Sequence, residues 1–137
     1  MSLTLRHLRF GWWLLLVSAT VGLALEALHG FKLGWYLSVA NETRRMLLTL
    51  AHAHGVLLGL VNIAFGLSVR AIGGEETLWA RRASPCLIAA GVLLPSGFAL
   101  GGVVLYGADP GLGIALVPVG AVLLLTGLFL SARGTAR

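Results

Sequence analysis

The stretch MLLTLAHAHGVLLGLVNIAFGLSV, residues 46–69, decides the fold of this chain. It is slightly longer than the roughly 20 apolar residues with which a helix crosses a bilayer. Two histidines, His52 and His54, lie inside it. Ionisable side chains at membrane depth cost free energy and therefore indicate a functional site. The stretch predicts both a transmembrane helix and the place where function is to be sought.

The composition of the whole chain is that of an integral membrane protein. Of its 137 residues, 58% are hydrophobic and 11% charged, and the mean hydropathy is +0.92. At this length we expect one domain over residues 1–137. The net charge of +5 comes from residues that lie almost wholly outside the apolar segments, so it indicates membrane lipid as a partner and no nucleic acid. The lone Cys86 excludes an internal disulfide framework.

Three more apolar segments, residues 10–28, 85–106 and 112–130, accompany residues 46–69. The fold class predicted is therefore all-α, an integral membrane bundle of four transmembrane helices. Gly and Pro at residues 107–111 predict a tight turn between the third and fourth segments. These two segments should form a hairpin.

Lysine and arginine in the flanks predict the orientation, because cytoplasmic loops retain positive charge. Both termini should be cytoplasmic, and we expect a multi-pass protein of a bacterial inner membrane. The cytoplasmic side carries Arg6, Arg9, Arg70, Arg81, Arg82, Arg133 and Arg137, and the outer side carries Lys32, Arg44 and Arg45.

Glu26 and His29 end the first segment, whereas His52 and His54 begin the second, so the four side chains should share a depth near the outer face. Two stripes at helical spacing predict that Glu26, His29 and His52 point into the bundle. The stripes are Ser18, Gly22, Glu26 and His29 in the first segment, and His52, Gly55, Gly59, Asn62 and Gly66 in the second. Two residues along a helix is a rotation of about 200°, which turns His54 away from His52.

Two kinds of cofactor suit such a cluster. A haem b requires axial imidazoles and small residues beside them, and His29 with His52 or His54 satisfies this requirement. The small residues are Gly22, Gly55 and Gly59. Alternatively, Glu26, His29, His52 and His54 hold an Fe, Cu or Zn ion, since Glu26-x-x-His29 has the spacing found in carboxylate-bridged bundles. Only one copy is present, so a dinuclear site requires two protomers.

Arg44 and Arg45 lie in the outer flank of the second segment. Guanidinium groups bind carboxylates and phosphates. The two arginines are therefore candidates for holding haem propionates or lipid phosphate, with a solvated flank as the alternative.

Thr49-Leu50, followed by His54-Gly55-Val56-Leu57 and the apolar residues up to Phe65, resembles the low-spin haem-binding helix of haem-copper oxidases. The likeness covers fewer than 20 residues and is interrupted by Ala51-His52-Ala53. It implies His54 as an axial haem ligand. The chain is too short for the oxidase fold, and its third and fourth apolar segments contain no histidine, so the copper site and oxygen chemistry do not carry over.

The first hypothesis is thus a small membrane haem b or metal-binding protein for electron transfer or redox-ligand handling. Two alternatives stay open: an accessory or structural subunit of a larger membrane complex, and a proton-coupled or metal transporter. A transporter would need polar groups towards the cytoplasmic side, which the third and fourth segments lack. The glycine stripes favour a homo-oligomer. No hydrolytic triad is recognisable, so catalysis would depend on the cofactor.

Overall fold

The computed structural model describes residues 1–38 and 42–136. The described chain is helical apart from short connections, and four of its helices are long and apolar enough to span a membrane. The all-α prediction is confirmed at this level. The helices are α1 (Leu3–Gly30), the single turn α2 (Gly34–Leu37), α3 (Glu42–Ala71), α4 (Leu78–Val103) and α5 (Leu116–Thr135).

Helices α1, α3 and α4 begin earlier than the apolar segments that predicted them. Helix α1 starts at Leu3 rather than at residue 10, and α4 starts at Leu78 rather than at residue 85. Hydropathy marks the part of a helix that suits a bilayer core, whereas the hydrogen-bonded helix continues into its basic flank. Residues 3–9 and 78–84 therefore belong to packed helices, not to loops.

The four long helices form a row rather than a closed bundle. Helix α1 packs along α3, α3 along α4, and α4 along α5, with a smaller contact between α1 and α4. That contact includes Phe10 of α1, whose ring lies against Gly91 of α4. Helices α1 and α5 thus form the two edges of the row, and α3 and α4 are its buried middle.

A two-residue hairpin joins α4 to α5. Strand β1 (Leu105–Tyr106) pairs antiparallel with β2 (Asp109–Pro110), and Gly107 between them has a φ of +65°. This left-handed backbone favours glycine. The tight turn predicted at residues 107–111 is confirmed, and a 3₁₀ turn, residues 112–115, leads into α5.

The connection between α3 and α4 caps the beginning of α1. The Glu75 carboxylate accepts hydrogen bonds from the N–H of Leu3 at 2.7 Å and of Thr4 at 3.0 Å. Ser2 adds a further cap, because its hydroxyl accepts from the Leu5 N–H at 3.2 Å. Hydrogen bonding from Thr4 and from Leu3 holds the pKa of Glu75 below its ordinary value. An interaction distant in sequence thereby fixes the start of α1.

Candidate functional site

A cleft of about 500 Å³ opens between the end of α1 and the beginning of α3. The structure brings together Gly22, Glu26, His29 and His52 in this cleft, as the sequence predicted. The polar side chains lie at one end of the row of helices, because α1 and α3 are antiparallel neighbours. Besides those four residues, the lining includes Ala19, Leu23, Leu25, Tyr36 and Thr49.

His52 is held in a fixed orientation within the cleft. Its Nδ1 lies 2.7 Å from the carbonyl oxygen of Ser18. A carbonyl only accepts, so Nδ1 carries the proton and Nε2 has the free lone pair. The ring packs against Gly22, where an added Cβ would overlap it. Among residues 1–38 and 42–136, Nε2 has no hydrogen-bond partner, so His52 can act as a ligand without breaking a contact.

Glu26 and His29 lie on the open side of the cleft. Both are exposed in the single chain, and both belong to α1, an edge helix of the row. Their spacing of three residues places them on one face of that helix. The sequence predicted that both point into the bundle. The row explains the difference, because α1 is an edge helix whose principal neighbour among the described residues is α3, and part of its surface stays uncovered.

The proposed set of four metal ligands is not assembled within one chain. In the described part of the protein, no three His, Cys, Asp or Glu side chains are placed so that they could hold a metal ion together. Glu26, His29 and His52 share the cleft, but His54 lies outside it. A metal ion in this cleft would need ligands in addition to those that one chain supplies.

His54 faces away from His52, as its rotation along the helix predicted. Its Nδ1 donates to the Leu50 carbonyl, one turn earlier, at 2.9 Å. Its ring lies 4.8 Å from the Phe98 ring of α4, between ring centroids. His54 is thus directed to the α3–α4 side and belongs to a different surface from the cleft.

Gly55 and Gly59 serve helix packing and do not line the cleft. Gly55 lies against the Ser18 side chain, and Gly59 lies against Leu15 and the backbone of Gly11. Close approach of backbones is the usual role of small residues between transmembrane helices. Of the three glycines that the sequence placed beside a cofactor, only Gly22 borders the cleft.

Arg44 and Arg45 also lie outside the cleft lining. The Arg44 guanidinium donates to the carbonyl oxygens of Gly102 at 3.1 Å and Trp35 at 3.0 Å, and it lies 4.5 Å from the centroid of the Trp35 ring. Arg45 pairs with Glu42 at 3.7 Å near the surface. Arg44 therefore ties the beginning of α3 to the end of α4 through its Nε–H and to α2 through an Nη1–H.

A second polar group, missed in the sequence, lies in the core at the opposite end of α1. His7 is fully buried, with Nδ1 2.7 Å from Asn62 Oδ1 and Nε2 2.8 Å from Ser84 Oγ. Because the Asn62 amide nitrogen donates to the Leu58 carbonyl at 2.8 Å, Oδ1 accepts from His7. Nε2 then accepts from the Ser84 hydroxyl. The three side chains connect α1, α3 and α4.

The order hydroxyl, imidazole, amide is that of a hydrolytic triad, which the sequence did not indicate. Ser84 is only 1% exposed, however, and Asn62 is fully buried. The group therefore stabilises the packing of three helices, since each buried polar atom is satisfied by another. The sequence feature that could have indicated this network is Asn62. A polar residue in a stripe of glycines needs a hydrogen-bond partner, and the start of α1, which runs antiparallel to α3, supplies His7.

The network adds polar groups at the end of the row opposite the cleft, as the transporter alternative requires, but they do not connect to the cleft. Between them, α1 and α3 are in contact through Gly11, Leu15 and Gly59. These residues offer no polar side chain. A proton path along this interface is thus interrupted by packed apolar residues.

Comparison of the chain with protein-family models, with curated proteins and with solved structures gave no match. The function is therefore inferred from the cleft.

Proposed function

We propose that this chain is an integral membrane protein that holds a haem b in the cleft between α1 and α3, for electron transfer or redox-ligand handling. The observation that carries the proposal is the hydrogen bonding of the His52 ring. Its Nδ1 is bound to the Ser18 carbonyl at 2.7 Å, so that Nε2 is the nitrogen available to a ligand. Metal-ligating histidines commonly donate their other ring N–H to a carbonyl or carboxylate.

The residues of the cleft fit a haem in three respects. His52 provides one imidazole, and His29 provides a second in the same cleft. Gly22 leaves the room that the His52 ring occupies, because an added Cβ would overlap that ring. Glu26 adds a carboxylate beside the imidazoles, which would lower the reduction potential by stabilising the more positive oxidised iron. A bound haem supplies one-electron chemistry at its iron.

The charge distribution supports membrane insertion with the cleft towards the outer face. The arginines of the flanks concentrate at the end of the row opposite the cleft, which the positive-inside rule assigns to the cytoplasm. Both termini lie at that end, and Arg137 alone among these arginines falls outside the described residues. We propose a bacterial inner membrane as the location, with a homo-oligomer or a larger complex as the assembly.

Oxidised and reduced visible spectra of the protein purified in mild detergent test this proposal. We expect a Soret band, with α and β bands that sharpen on reduction, as two axial imidazoles produce. His52→Ala and His29→Ala should lose the haem. His54→Ala is the matched control, because His54 lies outside the cleft, and it should retain the spectrum. Haem loss in His54→Ala with retention in His52→Ala would overturn the assignment and favour the oxidase-like ligand.

A metal ion shared between two copies is the second candidate. Glu26 and His29 are exposed on the edge helix α1, so a second copy packed against this edge would supply the ligands that one chain lacks. Metal analysis together with the oligomeric mass distinguishes it from haem. A colourless dimer with stoichiometric metal, lost in Glu26→Gln, would establish it, whereas a metal-free monomer would reject it.

A further inference from the structure

A larger cavity, of about 700 Å³, lies at the end of the row opposite the cleft. It is formed by the beginning of α4, the end of α5 and the connection before α4. Arg82 and Arg133 line it from two different helices, with Thr77 and Thr135 beside them. The Trp79 indole forms a wall and packs flat against Gly134, where an added Cβ would overlap the ring. The cavity is thus basic, with an aromatic wall.

Arg82 and Arg133 have no ion-pair partner among the residues that the structure describes. The neighbouring Arg81 differs, because it lies 3.6 Å from Glu76. Two unpaired guanidinium groups on one cavity favour an anion, and the planar fork of arginine suits phosphate oxygens. Thr77 and Thr135 also line the cavity, but their hydroxyls donate to the carbonyl oxygens of Gly74 at 2.6 Å and Ser131 at 3.0 Å, so the two guanidinium groups are the donors offered to an anion.

An apolar groove of about 270 Å³ adjoins this basic cavity, and Trp79 and Thr135 line both. The groove runs between α3, α4 and α5, and its walls include Ala64, Phe65, Leu87 and Leu128. A charged cavity that continues into an apolar groove matches an amphiphile with an anionic head and a hydrocarbon chain. A small inorganic anion would leave the groove unused.

We propose that the two cavities together form a binding site for an anionic phospholipid. Arg82 and Arg133 hold its phosphate, and the groove beyond Trp79 takes one acyl chain. The site lies at the arginine-rich end of the molecule, where the cytoplasmic leaflet presents anionic headgroups to basic residues. Trp79 has the interfacial position that tryptophan prefers. The inference goes beyond the haem proposal and shares with it only the insertion of the helices in a bilayer.

Native mass spectrometry of the full chain, titrated separately with phosphatidylglycerol, phosphatidylcholine and inorganic phosphate, tests the site. We expect saturable binding of phosphatidylglycerol in clear preference to phosphatidylcholine. Each arginine near an anionic headgroup contributes about a factor of five in affinity, so the double variant Arg82→Gln, Arg133→Gln should bind roughly 25-fold more weakly. Arg70→Gln is the control, because Arg70 is exposed at the same end and lines neither cavity.

The groove is tested by Ala64→Trp, which adds bulk at an exposed position without removing a packed side chain. It should weaken phosphatidylglycerol binding and leave the haem spectrum unchanged. Three results would overturn the proposal: equal affinity for the two lipids, unchanged affinity in the double arginine variant, or an equal loss in Arg70→Gln. Saturable inorganic phosphate binding that requires both arginines, without a lipid preference, would assign the cavity to a soluble phosphate and also reject the lipid.

Discussion

His7 has both ring nitrogens occupied by side chains, whereas His52 and His54 each bond only through Nδ1 in the described part of the chain. The difference determines their chemistry. A histidine whose Nδ1 donates to a backbone carbonyl presents Nε2 to a ligand. His7 would have to give up the buried hydrogen bond that its Nε2 accepts from Ser84, and it is therefore a structural residue although it lies in the same helix as His29.

Replacing His7 should destabilise the protein strongly. His7→Ala leaves the oxygen of Asn62 and the hydroxyl of Ser84 without partners in the core and creates a cavity, which should lower the free energy of unfolding by about 3 kcal/mol. The measurement is equilibrium unfolding of the cofactor-free protein in detergent. The exposed His29→Ala serves as the matched control, with an expected change below about 0.5 kcal/mol. Equal losses in the two variants would contradict the structural role of His7.

Gly22 should control cofactor binding through His52 without being a ligand. In Gly22→Ala the new Cβ overlaps the His52 ring, so the imidazole must rotate or its bond to Ser18 must break. We expect a reduced haem affinity in a spectroscopic titration. Gly30→Ala is the control on the same helix, because a Cβ there meets nothing within 4 Å. Wild-type affinity in Gly22→Ala would show that the orientation of His52 does not matter.

At the scale of the helices, hydrophobic runs predicted the number of spans and the hairpin at residues 107–111. Helical rotation predicted that His54 turns away from His52. The ends of the helices were not predictable in this way, because the basic turns that extend α1 and α4 have low hydropathy although they are helical. His7 was missed for that reason: it lies before residue 10, in a part of the sequence assigned to a flank.

The cleft was predicted in part. Antiparallel succession of α1 and α3 was enough to bring Glu26, His29 and His52 together. Two features depend on how the helices pack against one another, and a pattern within one helix does not contain that information. They are the hydrogen bonds of Arg44 to two carbonyls and the exposure of Glu26 and His29. The acidic group that caps α1, Glu75, lies more than 70 positions away in sequence and had no local signal.

Glu75 should stabilise the start of α1 in a pH-dependent manner. Its pKa is lowered in the folded protein, so its contribution is complete above the ordinary glutamate pKa of 4.5 and is lost as the pH falls through the lower folded value. Glu75→Gln should cost about 1 kcal/mol at neutral pH. Thermal unfolding against pH measures both effects. Glu76→Gln is the control, because that side chain is 92% exposed, and a similar loss there would argue against a specific cap.

At the scale of the whole molecule, the row of helices has a polar cleft at one end and most of its arginines at the other. This asymmetry predicts the orientation of the chain in a membrane, and the prediction can be measured. In a Cys86→Ser background, a membrane-impermeant maleimide applied to intact cells should label Ala108→Cys, in the hairpin after α4. Ala136→Cys should react only after lysis. The unsubstituted background controls for other labelling, and the reverse pattern would place the cleft at the cytoplasmic face.

The row has a further consequence for how the chain is assembled during synthesis. Each principal interface joins long helices that follow one another in sequence, so each long helix can pack against the one before it as soon as it is made. When α1 and α3 have paired, His7 can already donate to Asn62, but its second nitrogen lacks a partner until α4 delivers Ser84. The hydrogen bonds of His7 thus form in the order in which the helices leave the ribosome, first to Asn62 of α3 and then to Ser84 of α4.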